Sequence, residues 1–111
     1  MSREIFNEGT PFEAADAVAY ADGSVVSKTL VHRQAGTLTL FSFDEGQGLS
    51  EHTAPYDAVV HVLDGTAEVT VGCEKHRVGK GQMIVLPGGV PHAVHAPERF
   101  KMLLIMIRSE E

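Results

Sequence analysis

Six histidines and a single cysteine are the side chains of this 111-residue chain that best suit metal binding or nucleophilic chemistry. Cys73 is followed by Glu74, whose negative charge opposes thiolate formation, and its place in a predicted hairpin turn favours an unreactive thiol. The sequence contains no Gly-X-Ser-X-Gly motif, no phosphate-binding loop and no paired-cysteine metal motif. The histidines are therefore the residues whose positions matter most for function.

The charge balance excludes two classes of partner. Fifteen Asp and Glu against nine Lys and Arg give a net charge of -6, which repels nucleic acid and anionic lipid. The longest apolar run, residues 102–107, is far shorter than the roughly twenty residues that a membrane-spanning helix needs. The N-terminal residues contain no signal-like apolar stretch. We expect a cytoplasmic protein without nucleic-acid or membrane partners.

The elements that must position the histidines are short β-strands. Strand-like segments bounded by Gly, Pro, Asn or Asp recur along the chain, which is typical of a sandwich or small barrel. The predicted strands cover residues 25–31, 37–43, 57–63, 66–71, 76–78, 83–86, 91–95 and 100–108. We predict one domain overall, with residues 1–23 as an N-terminal arm or first strand and residues 24–111 as the barrel.

Glycine, proline and histidine spacings resemble the two motifs of the cupin superfamily, G(X)5HXH(X)3,4E(X)6G and G(X)5PXG(X)2H(X)3N. The residues that match are Gly46, His52 and Gly65 in the first motif, and Gly81, Pro87, Gly89 and His92 in the second. The departures are Ala54 for the second His, Ala58 for the Glu and Ala96 for the Asn. The chain thus resembles a minimal single-domain cupin with a degenerate first motif. The resemblance implies an all-β double-stranded β-helix, a small jelly-roll-like barrel.

The same resemblance implies a metal cage of three His and one Glu, of which this chain keeps His52 and His92. These two imidazoles could hold one divalent metal (zinc, nickel, iron or manganese), with water or an added ligand completing the shell. Asp57, one place before the expected Glu, is an additional candidate if a bulge turns its carboxylate inward. Strand alternation predicts that His61 and His95 face outward. An alternative is that the histidine pair lines the pocket without metal.

Three functions remain open. The first is binding of a small molecule in the barrel; the predicted pocket residues are Tyr56, Val60, Val62, Met83 and Val85. The second is a metal-dependent enzyme of the dioxygenase or isomerase type acting on a small oxygenated compound, with no catalytic residue assigned. The third is a non-catalytic structural dimer. Residues 102–107 are apolar on both faces of their strand, which predicts a homodimer in each case.

Overall fold

The computed structural model describes residues 6–108, which form nine β-strands and one short 3₁₀ helix. The 3₁₀ helix spans Ala14–Asp16. The strands are β1 (Val25–Arg33), β2 (Gly36–Phe43), β3 (Gly48–His52), β4 (Asp57–Asp64), β5 (Thr66–Val71), β6 (Glu74–Gly79), β7 (Met83–Leu86), β8 (His92–His95) and β9 (Phe100–Ile107). Within these residues, no helix is long and apolar enough to cross a membrane.

Two antiparallel sheets build the barrel. The larger sheet has the strand order β1-β2-β9-β4-β7, and the smaller one has the order β3-β8-β5-β6. Strands that are distant in sequence become neighbours: β9 lies between β2 and β4, and β8 lies between β3 and β5. The predicted all-β fold of the cupin type is confirmed by this architecture.

The core lies between the sheets because alternate residues of each strand point inward. On β4 the buried side chains are Ala58, Val60 and Val62, while Val59 and His61 between them are only half-buried. At one end of the core the rings of Phe43 and Phe100 stack with their centroids 4.5 Å apart, and both are fully buried. Burial of such side chains supplies the main driving force for closing the barrel.

Gly65 is required by the tight connection between β4 and β5. Its φ of +70° is one that residues with a side chain rarely adopt. A Cβ at this position would also lie 2.1 Å from the carbonyl oxygen of Arg99, a backbone atom that cannot move aside. The glycine of the first motif therefore has a structural role.

The segment from residue 6 to residue 23 packs across the outer face of the larger sheet. Val18 is almost fully buried there, and the Ser42 hydroxyl of β2 donates to the Ala19 carbonyl at 2.7 Å. The Tyr20 hydroxyl donates to Asp64 of β4 at 2.6 Å, and burial together with this acceptor raises the pKa of the tyrosine. The described part of the arm forms no strand before Val25.

Arg99 connects this segment to the barrel through two carboxylates. Its guanidinium donates to Asp44 at 2.7 Å and to Asp22 at 2.6 Å. The Arg99 hydrogen bond and two backbone N–H donors lower the pKa of Asp44 to about 2. The three side chains form an ion-pair network at one end of the barrel. The turn that connects β1 to β2 lies at the opposite end.

Candidate functional site

The pairing of β3 with β8 brings two histidines from distant parts of the chain into contact. His52, at the end of β3, lies directly opposite His92, at the start of β8, after a register irregularity between Leu49 and His52. The ring centroids are 4.4 Å apart in an edge-on arrangement, and the two Nε2 atoms are 3.1 Å apart. The spacing of the two motifs had predicted this neighbourhood.

A backbone carbonyl lies beside the Nδ1 atom of each ring. The Nδ1 of His52 is 2.9 Å from the carbonyl oxygen of Ser50, and the Nδ1 of His92 is 3.3 Å from that of Val90. Since a carbonyl can only accept, each of these contacts is a hydrogen bond when Nδ1 carries the proton, and a neutral ring then has an unprotonated Nε2. With both rings in this tautomer, a proton or a cation shared by the two Nε2 atoms, 3.1 Å apart, would stabilise their contact.

The two rings differ in their exposure. His52 is exposed at the barrel mouth, whereas His92 is 6 % exposed. Burial, followed by the nearby charge of a protonated His52, lowers the pKa of His92, and the Val90 carbonyl opposes this shift only in part. The His92 ring is therefore kept neutral at neutral pH, with its Nε2 lone pair available to a ligand.

The histidine pair borders a cavity of about 50 Å³ between the sheets, room for roughly three to five water molecules or a small ligand. The remaining lining residues are Leu49, Ala54, Tyr56, Ala58, Val60, Leu86, Val94, Met102, Leu104 and Met106. No Asp, Glu, Lys or Arg occurs among these lining residues of the described chain. A ligand would meet an apolar enclosure with its polar groups, two imidazoles and one phenol, concentrated in a few places.

The structure places the predicted pocket residues in three different environments. Tyr56 and Val60 line the cavity, and Val62 is fully buried in the core outside the cavity lining. The prediction that Met83 and Val85 line the pocket is wrong, because their side chains are 56 % and 60 % exposed.

The register of β7 explains this error. Val60 pairs with Ile84 and Ala58 pairs with Leu86, and directly opposed residues of an antiparallel pair share one face. The inward residues of β7 are therefore Ile84 and Leu86, and Leu86 does line the cavity. Met83 and Val85 lie on the outer face.

Asp57 is not placed as a metal ligand. It is exposed, one position out of phase with inward-facing Ala58, and its Oδ1 accepts a hydrogen bond from the Gly88 N–H at 2.8 Å. The bulge that would turn it inward is not observed, since the pairing of β4 with β9 is regular from Asp57 to Val62. His61 and His95 lie in the outward phase of their strands, as predicted.

The spacing and orientation of His52 and His92 suit a metal ion, but the two side chains alone do not complete its coordination. Two nitrogens bound at about 2.0–2.1 Å to one zinc ion lie about 3.3–3.4 Å apart at the tetrahedral angle. The Nε2 atoms are 3.1 Å apart, which corresponds to a slightly narrower angle of about 95–102°. The hydrogen bonds from Nδ1 to carbonyls orient both rings, as outer partners do in known metal sites. Residues 6–108 contain no group of three or more His, Cys, Asp or Glu that could hold an ion. The histidine pair would supply only part of a coordination shell.

Sequence reasoning missed the contributions of Met102, Leu104 and Met106. These residues are the inward half of β9, and their outward neighbours are Leu103, Ile105 and Ile107. The run is apolar throughout, so its composition does not indicate which half faces the barrel. The pairing of Met106 with Ala58 supplies that information.

Comparisons with known proteins agree with the fold and cover the site. A family model described as a cupin domain matches residues 39–108. A conserved protein of unknown function from Streptococcus pyogenes is 39 % identical, with a TM-score of 0.92 over 100 % of this chain and 98 % of that one. A cupin 2 conserved barrel domain protein from Leptotrichia buccalis is 45 % identical, with a TM-score of 0.81 over 84 % of this chain and 45 % of that one.

An uncharacterised protein of Streptomyces coelicolor is 36 % identical over 56 residues, which are 50 % of this chain. The match covers 53 % of that relative, so it spans about half the length of the curated protein.

Proposed function

Because the chain belongs to the cupin family, we propose that it binds a small, largely apolar molecule in its barrel and that one divalent metal ion, held by His52 and His92, anchors the polar end of that molecule. The observation that carries the proposal is the 3.1 Å approach of two Nε2 atoms whose Nδ1 atoms lie 2.9 and 3.3 Å from backbone carbonyl oxygens. A cation between the rings turns the contact of two lone pairs into two bonds. When bound, such an ion acts as a Lewis acid that polarises an oxygen of the ligand.

The ligand class follows from the size and the polarity of the cavity. The volume of about 50 Å³ suits a molecule of a few heavy atoms. Within residues 6–108, its lining offers no Lys or Arg to pair with an anionic group, so an oxygen of the ligand would be anchored by the ion or by the imidazoles and Tyr56. Small carboxylic acids, ketones and alcohols with an aliphatic part satisfy these conditions.

Metal content tests the first half of the proposal. Protein purified without chelator is measured by elemental analysis as wild type, His52→Ala, His92→Ala and His61→Ala. We expect about one ion per chain in wild type and in the His61→Ala control, whose imidazole lies on the outer face, and below about a tenth in the other two. Equal metal content in His92→Ala and wild type would contradict a role for this pair.

Thermal unfolding of the zinc-loaded protein tests the second half. Short-chain aliphatic acids and ketones should raise the melting temperature, because a ligand that binds only the native state stabilises it. Ala54→Leu, which fills part of the cavity, should abolish the rise without changing the metal content. Val85→Leu adds the same kind of bulk on the exposed outer face and serves as the matched control. An unchanged ligand response in Ala54→Leu would show that the ligand lies elsewhere.

A metal-dependent enzyme of the dioxygenase or isomerase type is the second candidate. The observation in its favour is that two protein ligands leave positions on the ion open toward the enclosed cavity. Substrate turnover that requires metal and is lost in His92→Ala would support it. Ligand binding without product formation would leave the binding function alone.

We also propose that the chain forms a homodimer through the outer face of β4, β7 and β9. Val59, Met83, Val85, Ile105 and Ile107 form this outer apolar face, and three of them are more than half exposed. None of the five is charged, and the carboxylate at the edge of the face, Asp57 opposite Ile107, accepts a hydrogen bond from the Gly88 N–H. A second copy can therefore meet the apolar part of the same face, despite a net charge of -6. Sedimentation should show a dimer for wild type and a monomer for Val85→Glu. The control variant Ala93→Glu, on the other sheet, should stay dimeric. A dimeric Val85→Glu would contradict this interface.

The predicted cytoplasmic location remains part of the proposal. The free thiol of Cys73 is exposed, and such thiols persist in a reducing compartment. Cell fractionation would test the location, and an electrophoretic mobility assay would test the expectation that nucleic acid does not bind.

A further inference from the structure

We propose that Met106 is a third, soft ligand of the ion held by His52 and His92, and that the site therefore binds copper(I) more tightly than zinc(II) or nickel(II). The inference rests on the histidine site proposed above and changes its preferred occupant from a divalent ion to copper(I). It adds a residue and a metal preference that the family motifs do not contain.

The position of Met106 is the first step. In the pairing of β4 with β9 it lies directly opposite Ala58, the residue that takes the place of the cupin glutamate. Opposed residues share a face with their Cβ atoms about 4.5–5.5 Å apart. The methionine sulfur is as many bonds from its Cα as the carboxyl carbon of a glutamate is. Met106, Ala58 and both histidines line one cavity, so the methionine side chain borders the same space as the small alanine.

The chemistry of the donor set is the second step. Manganese favours oxygen donors, whereas thioether ligands favour copper(I), and imidazole also binds copper well. The cavity offers two imidazoles and thioethers, with no Asp or Glu among its described lining residues. Methionine sulfur is therefore the softest donor near the pair and the one that can distinguish between metals.

The apolar enclosure is the third step. The cost of moving an ion out of water rises steeply with its charge, and neutral ligands leave the full ionic charge in place. With neutral His and Met ligands, copper(I) leaves a charge of one, while zinc(II) and nickel(II) leave a charge of two. An aliphatic lining without a compensating carboxylate favours the ion of lower charge.

Met102 provides an internal control. It lies on the same face of β9 and also lines the cavity, but it pairs with Val62 instead of Ala58. Four residues of strand separate the two methionines by about 13 Å, so only Met106 is level with the Ala58 position. A general effect of thioethers in the cavity and a specific effect of Met106 can thus be separated.

The experiment measures metal affinity under anaerobic, reducing conditions. All variants carry Cys73→Ser, because the exposed thiol would bind copper(I) by itself. Copper(I) affinity is measured by competition with bicinchoninate, and zinc affinity by competition with a chromophoric chelator. Met106→Leu should weaken copper(I) binding by about tenfold or more and change zinc binding by less than about twofold, whereas Met102→Leu should change neither. X-ray absorption should show sulfur scattering from copper in the background protein and none in Met106→Leu.

Each outcome has a distinct meaning. Unchanged copper(I) affinity and persistent sulfur scattering in Met106→Leu would overturn the assignment of Met106. Zinc binding that depends on His92 but exceeds copper(I) binding would overturn the metal preference and leave the proposed histidine site standing. If neither metal binds in a His92-dependent manner, the proposed site itself is wrong. Circular dichroism of each variant verifies that the barrel is folded.

Discussion

Restoring the missing carboxylate at position 58 tests the geometry of the site most directly. Ala58 is 5 % exposed, lies on the inner face of β4 and shares the cavity with both imidazoles. In the variant Ala58→Glu, the new carboxyl group enters an apolar enclosure in which those two rings are the basic groups among the lining residues that the structure describes. Because the burial of a charged or polar group without full compensation is unfavourable, we expect the metal-free variant to lose about 2–4 kcal/mol of unfolding free energy.

Metal should reverse most of that loss. For zinc, a carboxylate beside the two imidazoles gives a donor set typical of a catalytic site, and we expect zinc affinity to rise by about a hundredfold. At ion concentrations well above the dissociation constant, each tenfold gain in affinity adds about 1.4 kcal/mol to the unfolding free energy. The additional stabilisation by zinc is then about 2.7 kcal/mol relative to wild type, which is comparable with the cost of burial.

The assay is urea unfolding of wild type, Ala58→Glu and Ala58→Gln, each with chelator and with excess zinc. Ala58→Gln has a side chain of the same length and location but provides only a weak amide ligand, so it should show the destabilisation without the additional zinc effect. If both variants gain equally from zinc, the side chain at position 58 does not reach the ion. The inward alignment of Ala58 with the histidine pair would then be refuted.

Three further predictions concern the frame that holds the site. Gly65→Ala should lower the unfolding free energy by about 3–5 kcal/mol, since it combines a left-handed φ with a clash against the Arg99 carbonyl; a urea-derived loss below about 1 kcal/mol would contradict the geometry of this turn. The pKa of Asp44 falls from 3.8 to about 2 on folding, so its stabilising effect is present above pH 3.8 and is lost as pH falls through about 2. Asp44→Asn should therefore flatten the acid limb of a plot of urea midpoint against pH, and an unchanged limb would exclude the Arg99 contact as its cause. Phe100→Ala, which removes a fully buried ring stacked on Phe43, should cost about 3–5 kcal/mol by the same denaturation method, and a near-neutral result would mean that this end of the core can collapse around the gap.

The sequence predicts the fold and the histidine neighbourhood because both depend on local turn chemistry at fixed spacings. Gly65 can be identified from its place after Asp64, and Pro87 ends β7 wherever the strand partners lie. Once these turns are aligned with the cupin motifs, His52 and His92 follow, and the structure places their Nε2 atoms 3.1 Å apart.

Which residues of β7 and β9 point into the barrel could not be predicted from composition. Residues 83–86 and 102–107 are apolar at every position. Because no polar residue alternates with the apolar ones, the sequence does not show which face of the strand is exposed to water. For this reason the sequence places Met83 and Val85 on the wrong face and does not identify Met106 as a lining residue. The phase is determined by cross-strand pairs, with β4 for β7 and with β2 and β4 for β9, and those pairs join residues more than twenty positions apart.

The hydrogen bonds that orient the two imidazoles have a consequence for how this kind of barrel can diversify. Each ring is fixed by a carbonyl only two residues earlier in the chain, Ser50 for one and Val90 for the other. The orientation of the donors is thus encoded within two short peptides and is independent of the connecting loops. Relatives could exchange residues around the mouth, and with them the molecule that enters, while inheriting the paired rings intact.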